Sequence, residues 1–253
     1  MPEAPILSFL HRVDSTNNYA MAKVHAGLAS HGMAWFAHEQ TAGKGQRGKT
    51  WTSEPGMNIA LSLVLEPRTL AAHQQFYLSA AIALACMDFF SHYAGTATVV
   101  KWPNDLYWRD RKAGGILIEN VFQGSVWKYA VVGIGININQ IDFEPDLAHP
   151  VSLKQITGNE FDVELLARSL YQQVLDAASA LSADAFESIL SRYNRHLYKQ
   201  GTLVQLKQES NAFETFLIGV NGQGQLETID SELRKFDFGS VEWIRDAVVH
   251  KMV

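Results

Sequence analysis

The chain has 253 residues, 47% hydrophobic and 19% charged, a balance that excludes a disordered or fibrous protein and suits one large domain, alone or with a small module. Its formal net charge of −5 gives no global basic field for nucleic acid. A single cysteine, Cys86, excludes an intrachain disulfide, and nine scattered histidines with no His-x-x-x-His or Cys-x-x-Cys pair argue against a structural zinc site.

The N-terminus, MPEAPILSFL, lacks the basic start and long apolar run of a signal peptide. Residues 6–13 read as a strand. Asp14, Ser15 and Thr16 can cap a helix in which Ala20, Met21, Val24 and Leu28 fall at helical spacing. Residues 33–38 are strand-like, a polar Gly-rich loop runs to Gly56, and residues 58–65 (NIALSLVL) form a strand. Residues 72–93 are apolar almost all round and predict a buried helix with Cys86 as a small core residue. The apolar run 76–87 inside it is too short to cross a bilayer. These features together predict a cytoplasmic protein without membrane contact.

A short strand at 98–102 stops at Pro103, a hairpin occupies 107–122 with its turn at 109–111, and a long strand runs from 126 to 138. Two helices follow, striped by Val163, Leu166, Leu170 and Val174, then by Phe186, Ile189, Leu190, Tyr193 and Leu197. After Gln200 the pattern changes to short β segments, including a hairpin of 215–220 and 225–229 turned at Asn221-Gly222. Strands and helices mix without regular βαβ alternation. The expectation is therefore an α+β domain over 1–199 with a mostly antiparallel sheet and flanking helices, and a small β-barrel over 200–253.

Residues 43–50, GKGQRGKT, match the P-loop pattern G-x-x-x-x-G-K-[ST] to the letter. That pattern works only where a helix begins at the Lys-Thr and its N-terminus holds the phosphates. Here Pro55-Gly56 and then a strand follow, so a P-loop NTPase is rejected. The local chemistry survives the rejection. Gly43, Gly45 and Gly48 free backbone N–H groups to form an anion nest, and Lys44, Arg47 and Lys49 add three positive charges. Downstream, KWPND places Lys101 at a strand end and presents Asn104 and Asp105 on a turn, where an amide and a carboxylate can help hold Mg²⁺ with a nucleotide. Lys112 stands beside Gly114-Gly115, a bare backbone that admits a ligand or another chain segment. In VVGIGININ, Val132, Ile134, Ile136 and Ile138 share one face. Gly133, Gly135, Asn137 and Asn139 share the other, a smooth floor able to accept a flat ring.

Together these pieces resemble the biotin–protein ligases over about 240 residues. Ser15-Thr16-Asn17, Gln40 with GKGQRG, KWPND, the run from Lys112 to Glu119, and GIGININ occur in the family's order and spacing. The resemblance implies a catalytic domain related to class II aminoacyl-tRNA synthetases and an SH3-like C-terminal domain. It implies ATP, Mg²⁺ and biotin as the reacting set, with no tightly bound cofactor. Biotinyl-5′-AMP would form first, and its biotin would pass to a lysine of a biotin carboxyl carrier domain. By position, Lys112 would lie between biotin and the α-phosphate. Ser15, Thr16, Asn17 and Gln40 would hold the biotin ring beside Gly114 and Gly115. Gly43, Lys44, Gly45, Gln46, Arg47, Lys101 and Asn104 would hold phosphate or adenylate, and Asn137 would lie on the adenine side. Asp105 would organise the metal or assist the acceptor lysine. Two departures matter. Gln46, like Lys44, stands where many members have arginine, and Gln46 carries no charge. The catalytic pattern also begins at about residue 6, without the DNA-binding domain of many bacterial members, so no DNA binding is expected. Family members are monomers or homodimers. The nearest alternative of the same fold is a lipoate ligase or octanoyltransferase.

Overall fold

A computed structural model describes residues 7–144 and 149–244; Ile6, expected to open the first strand, lies outside them. The first half builds β1 (Leu7–Val13), α1 (Thr16–His25), β2 (Ala34–Gln40), β3 (Asn58–Leu65), α2 (Gln75–Ala94), β4 (Thr98–Lys101), β5 (Asp105–Trp108), β6 (Arg111–Gln123) and β7 (Val126–Asn137). The strands form one sheet in the order β1-β2-β3-β7-β6-β5-β4. Only β1 and β2 pair in parallel, because α1 carries the chain back between them; every other pair is antiparallel. The mostly antiparallel α+β expectation is met.

β3 is buried along its whole length because the sheet is covered on both faces. Ile59, Leu61 and Leu63 face the main core with Val132, Ile134 and Ile136 of β7, while Val64 and Val131 meet Ala20 and Val24 of α1. The main core is closed by α2, α3 (Leu153–Thr157), α4 (Val163–Ser179) and α5 (Phe186–Arg195). α2 is buried nearly all round, as its composition requires. Cys86 sits within it, and burial pushes its thiol far above the ordinary range, which leaves it an inert core residue. Leu197 falls beyond the end of α5, not within it. It stays buried because the chain there turns extended and bridges Val100, whose N–H donates to the His196 carbonyl.

A second, antiparallel sheet follows: β8 (Leu203–Gln208), β9 (Asn211–Val220), β10 (Leu226–Ile229), β11 (Leu233–Phe236) and β12 (Glu242–Trp243), in the order β11-β10-β9-β8-β12. Its hairpin is not a two-residue Asn-Gly turn. Five residues, 221–225, connect β9 to β10, and the positive φ falls at Gly224. The Asn221 side chain stabilises the longer loop by accepting from the N–H groups of Gln223 and Gln225. This loop reaches the first domain, where Gly224 accepts a 2.9 Å hydrogen bond from the Trp102 indole. Asn194 of α5 clasps Val220 through both its amide groups, at 2.8 and 2.7 Å. Val204, Leu206, Leu217 and Leu226 join the main core. No helix among the described residues is long and apolar enough to cross a membrane.

Candidate functional site

The site is built on the face of β7 that lacks side chains. A Cβ on Gly133 would collide with the carboxamide of Asn17, and one on Gly135 would lie 2.5–3.0 Å from the indole of Trp51. The smooth floor expected from the strand pattern is thus occupied by two side chains of the chain itself, one polar and one flat. Around them opens a cleft of about 790 Å³. Gly48 and Asn139 do not line it; all the residues to which the family resemblance gives a role do, except Gly43 and Gly114. Those two glycines serve backbone approach instead: Gly43 accepts from the Trp51 N–H at 2.8 Å, and a Cβ on Gly114 would meet the Gly135 carbonyl at 2.6 Å.

One end of the cleft is neutral and hydrogen-bonded. Ser15, Thr16 and Asn17, at the start of α1, are all buried. The Gln40 side-chain oxygen accepts from the Thr16 N–H at 2.8 Å, serving one of the helix's unpaired first-turn donors. Ser62 Oγ, fully buried on β3, lies 2.6 Å from Asn17 Oδ1 and 2.7 Å from Thr16 Oγ1. A serine has one hydroxyl proton, and Asn17 Oδ1 only accepts, so that proton belongs to Asn17. Asn17 Nδ2 donates to Glu119 at 2.9 Å. With a longer contact from Nδ2 to the Leu117 carbonyl at 3.5 Å, the carboxamide of Asn17 is fixed by three partners.

The middle of the cleft is charged. Lys112 Nζ lies 2.6 Å from Asp105 Oδ1, with both side chains a little under one-third exposed. A bulge in β6 creates this meeting. Leu106 pairs with Gly114 and Tyr107 with Lys112, so one extra residue brings Lys112 onto the face of Gly115. The backbone of Lys112 is held by the 149–151 segment, which directs the side chain into the cleft. Asn104 Nδ2 and Gln46 Nε2 both donate to the Ile116 carbonyl. Asn137 spends its amide on the Val151 carbonyl at 3.2 Å. Asn139 points away and pairs with the backbone of Phe161.

The Gly-rich loop runs along the cleft, from the Glu119 partner of Asn17 to the Ile116 carbonyl that Asn104 also reaches. Gln46–Gly48 forms a single 3₁₀ turn, and Lys49 is extended. No helix starts at Lys49-Thr50, which removes the P-loop architecture as expected. Lys44 lies 3.6 Å from Glu119. The Gln46 side-chain oxygen and the Trp51 indole N–H are buried without protein partners, which marks both as groups a ligand can satisfy.

Lys101 sits at the rim with its ammonium over three rings, 4.6 Å from Tyr107, 5.3 Å from Tyr198 and 5.1 Å from Trp243. Trp243, Phe238, Gly239 and Glu242 of the C-terminal region line the same cleft. Neither these residues nor Trp51 and Ser62 are among the sequence candidates; Glu119 enters the sequence pattern only as the end of a matched motif, with no role attached. A tryptophan closing a Gly-rich basic loop is a signal that points to Trp51. The C-terminal residues carry no such local signal. No group of three His, Cys, Asp or Glu side chains able to hold a metal occurs among the described residues.

The biotin/lipoate A/B protein ligase family model matches residues 9–137. The chain is 40% identical over 164 residues to a biotin–[acetyl-CoA-carboxylase] ligase of Paracoccus denitrificans, covering 61% of this chain and 65% of that protein. It is 32% identical over 187 residues to the bifunctional ligase/repressor BirA of Escherichia coli, covering 72% of this chain and 56% of that protein. The matched stretch is thus less than two thirds of either relative's length. In structure it resembles the biotin protein ligase of Aquifex aeolicus solved in complex with biotin and ATP. The TM-score is 0.80 at 23% identity, covering 95% of this chain and 99% of that one.

Proposed function

The chain belongs to the biotin/lipoate A/B protein ligase family, and from that premise we propose that it is an ATP-dependent biotin–protein ligase. The observation that carries the reading is the polarity of the cleft. A neutral network of Ser15, Thr16, Asn17 and Gln40 lines one part of it, and Lys112 and the basic loop line the rest. A cyclic urea offers N–H donors and a carbonyl acceptor to such a network, whereas a dithiolane ring offers neither. The network therefore favours biotin over lipoate.

In the first step a biotin carboxylate oxygen attacks the α-phosphorus of ATP. The bond to the bridging oxygen breaks, and pyrophosphate leaves. Both reactants are anions, so positive groups must offset their repulsion most in the transition state. Lys112 is placed to do this at the reacting centre, with Lys44 and Arg47 on the phosphate side. Mg²⁺ would arrive with the nucleotide and neutralise phosphate charge. Asp105 is the carboxylate beside the reacting centre, so the ion would be held mainly by phosphate oxygens and water, as Mg²⁺ usually is. In the second step the neutral ε-amine of a lysine on a biotin carboxyl carrier domain attacks the anhydride carbonyl and AMP leaves. The lysine arrives as an ammonium and must first lose a proton, which Asp105 is placed to accept. The anhydride needs shielding from water, which the loop 43–52 supplies by closing. The second sheet, from β8 to β12, makes up the SH3-like unit.

Biotin-dependent exchange of pyrophosphate into ATP tests the reading. Exchange with biotin and none with lipoate is expected. Absence of exchange with biotin and Mg²⁺-ATP refutes the ligase assignment.

A further inference from the structure

Arg47 occupies the tip of the Gly-rich loop with a left-handed backbone, φ 55° and ψ 40°, which residues other than glycine seldom adopt. The loop behind it is pinched by hydrogen bonds from Gly45 N–H to the Lys49 carbonyl at 2.7 Å and from Lys49 N–H to the Gln46 carbonyl at 3.1 Å. This projects the side chain outward. The guanidinium has no hydrogen-bond or ion-pair partner among the described residues. Contact alone holds it. A Cβ on Gly239 would lie 2.9 Å from Arg47 Cζ, 3.0 Å from Nη1 and 3.2 Å from Nε. The planar fork therefore rests on the bare backbone of Gly239, in the loop between β11 and β12.

We propose that Gly239 is a positioning residue for the nucleotide: it seats the guanidinium of Arg47 and aims that cation into the cleft from the C-terminal sheet. Gly239 is itself well placed to act as a fixed seat. Its neighbour Phe238 packs edge-on against Trp102 with ring centroids 6.3 Å apart. The Trp102 indole and the Asn194 clasp tie the same sheet to the first domain. A guanidinium held by packing keeps all five N–H donors for a ligand, and a planar fork suits the paired oxygens of a polyphosphate. Van der Waals seating thus fixes direction without using up hydrogen bonds. This inference rests on the nucleotide-binding part of the reading above.

The test compares Gly239→Ala and Gly239→Asn in the full chain. Both add a Cβ that must displace the guanidinium. Asparagine tolerates the positive φ of 80° at this position better than alanine. ATP affinity is measured by calorimetry without biotin, and the KM values for ATP and biotin by pyrophosphate exchange. Both variants are expected to weaken ATP about tenfold, the effect of misdirecting one charge-assisted contact, with the biotin KM unchanged. Neither is expected to change ATP affinity further in an Arg47→Ala background. The proposal is overturned if ATP affinity is unchanged, if only alanine has an effect, if biotin and ATP weaken together, or if the loss is as large without Arg47. Wild-type protein that binds ATP in this Gly239-dependent way but shows no biotin-dependent exchange would sink the ligase reading and leave this one standing.

Discussion

Replacing Lys112 by alanine does two things at once. It removes the cation nearest the reacting centre, and it leaves Asp105, now 2.6 Å from nothing positive, as a bare carboxylate facing two anionic substrates. Opposite unit charges about 4 Å apart attract by about 4 kcal/mol at an effective dielectric constant near 20. A freed carboxylate about 7 Å from the phosphate repels by about 2 kcal/mol on the same scale. Each side chain is more than one-quarter exposed, so solvent screens part of both effects. A combined loss of about 3–5 kcal/mol follows, on the order of 10²- to 10⁴-fold in the rate of biotin-dependent pyrophosphate exchange. Adding Asp105→Asn to Lys112→Ala removes the repulsion and should recover about 1–2 kcal/mol, roughly tenfold. Circular dichroism and thermal unfolding show whether the fold is retained. Exchange within tenfold of wild type in Lys112→Ala removes the lysine from the reacting centre. Failure of the second substitution to recover activity means that Asp105 is needed for its own sake, as metal ligand or acceptor of the incoming ammonium's proton.

Gly133→Ala is expected to expel the Asn17 carboxamide from its seat and break its 2.9 Å bond to Glu119. Biotin affinity should fall by about 2 kcal/mol, near thirtyfold, with ATP affinity in the absence of biotin preserved; calorimetry that finds both weakened equally would point to general damage. Biotin and ATP together should protect residues 41–52 from protease, and unchanged cleavage counts against loop closure. On the alkaline side, burial raises the Cys86 thiol above its ordinary value of 9.0. Its contribution to stability is therefore fully present below pH 9 and declines by about 1.4 kcal/mol per pH unit above it. Tyr171 and Tyr193, also raised by burial, add to the decline above pH 10. Denaturant titrations of Cys86→Ala should show a shallower slope between pH 9 and 10, and an identical slope would refute that assignment.

The elements that proved legible are those whose periodicity is imposed by burial on one or both faces. The alternation of β7 and the stripe of α4 match the structure because a buried face tolerates no slip of register. The charged half of the site was legible for a different reason. A lysine beside paired glycines and a Pro-fixed turn are local patterns, and their occurrence together in order made them readable. Three things were not legible, and each is a tertiary fact. The bulge that turns Lys112 toward Asp105 depends on pairing between two strands, not on either alone. The five-residue hairpin loop is set by Asn221 capping its own backbone and by the Trp102 indole it must reach. The role of the C-terminal residues depends on a docking that no local pattern encodes.

The central strand shows why half of this site can be read and half cannot. Gly-Ile-Gly-Ile has to put two glycines on one face, and the absence of side chains there is visible in the sequence. What fills the absence is not visible, because Asn17 and Trp51 come from different parts of the chain and descend on adjacent glycines of that face. Adding a methyl at either position costs little to the strand itself, since β7 is extended there and tolerates any residue. The damage would fall on the partner that lost its seat, and the two partners differ in chemistry, a carboxamide in one case and an indole in the other. Gly133→Ala should therefore weaken biotin and Gly135→Ala the nucleotide, which makes two neighbouring glycines on one strand separable by ligand. If both substitutions weakened the same ligand, Trp51 and Asn17 would have to belong to one subsite, and the division of the cleft into a neutral and a charged part would fail.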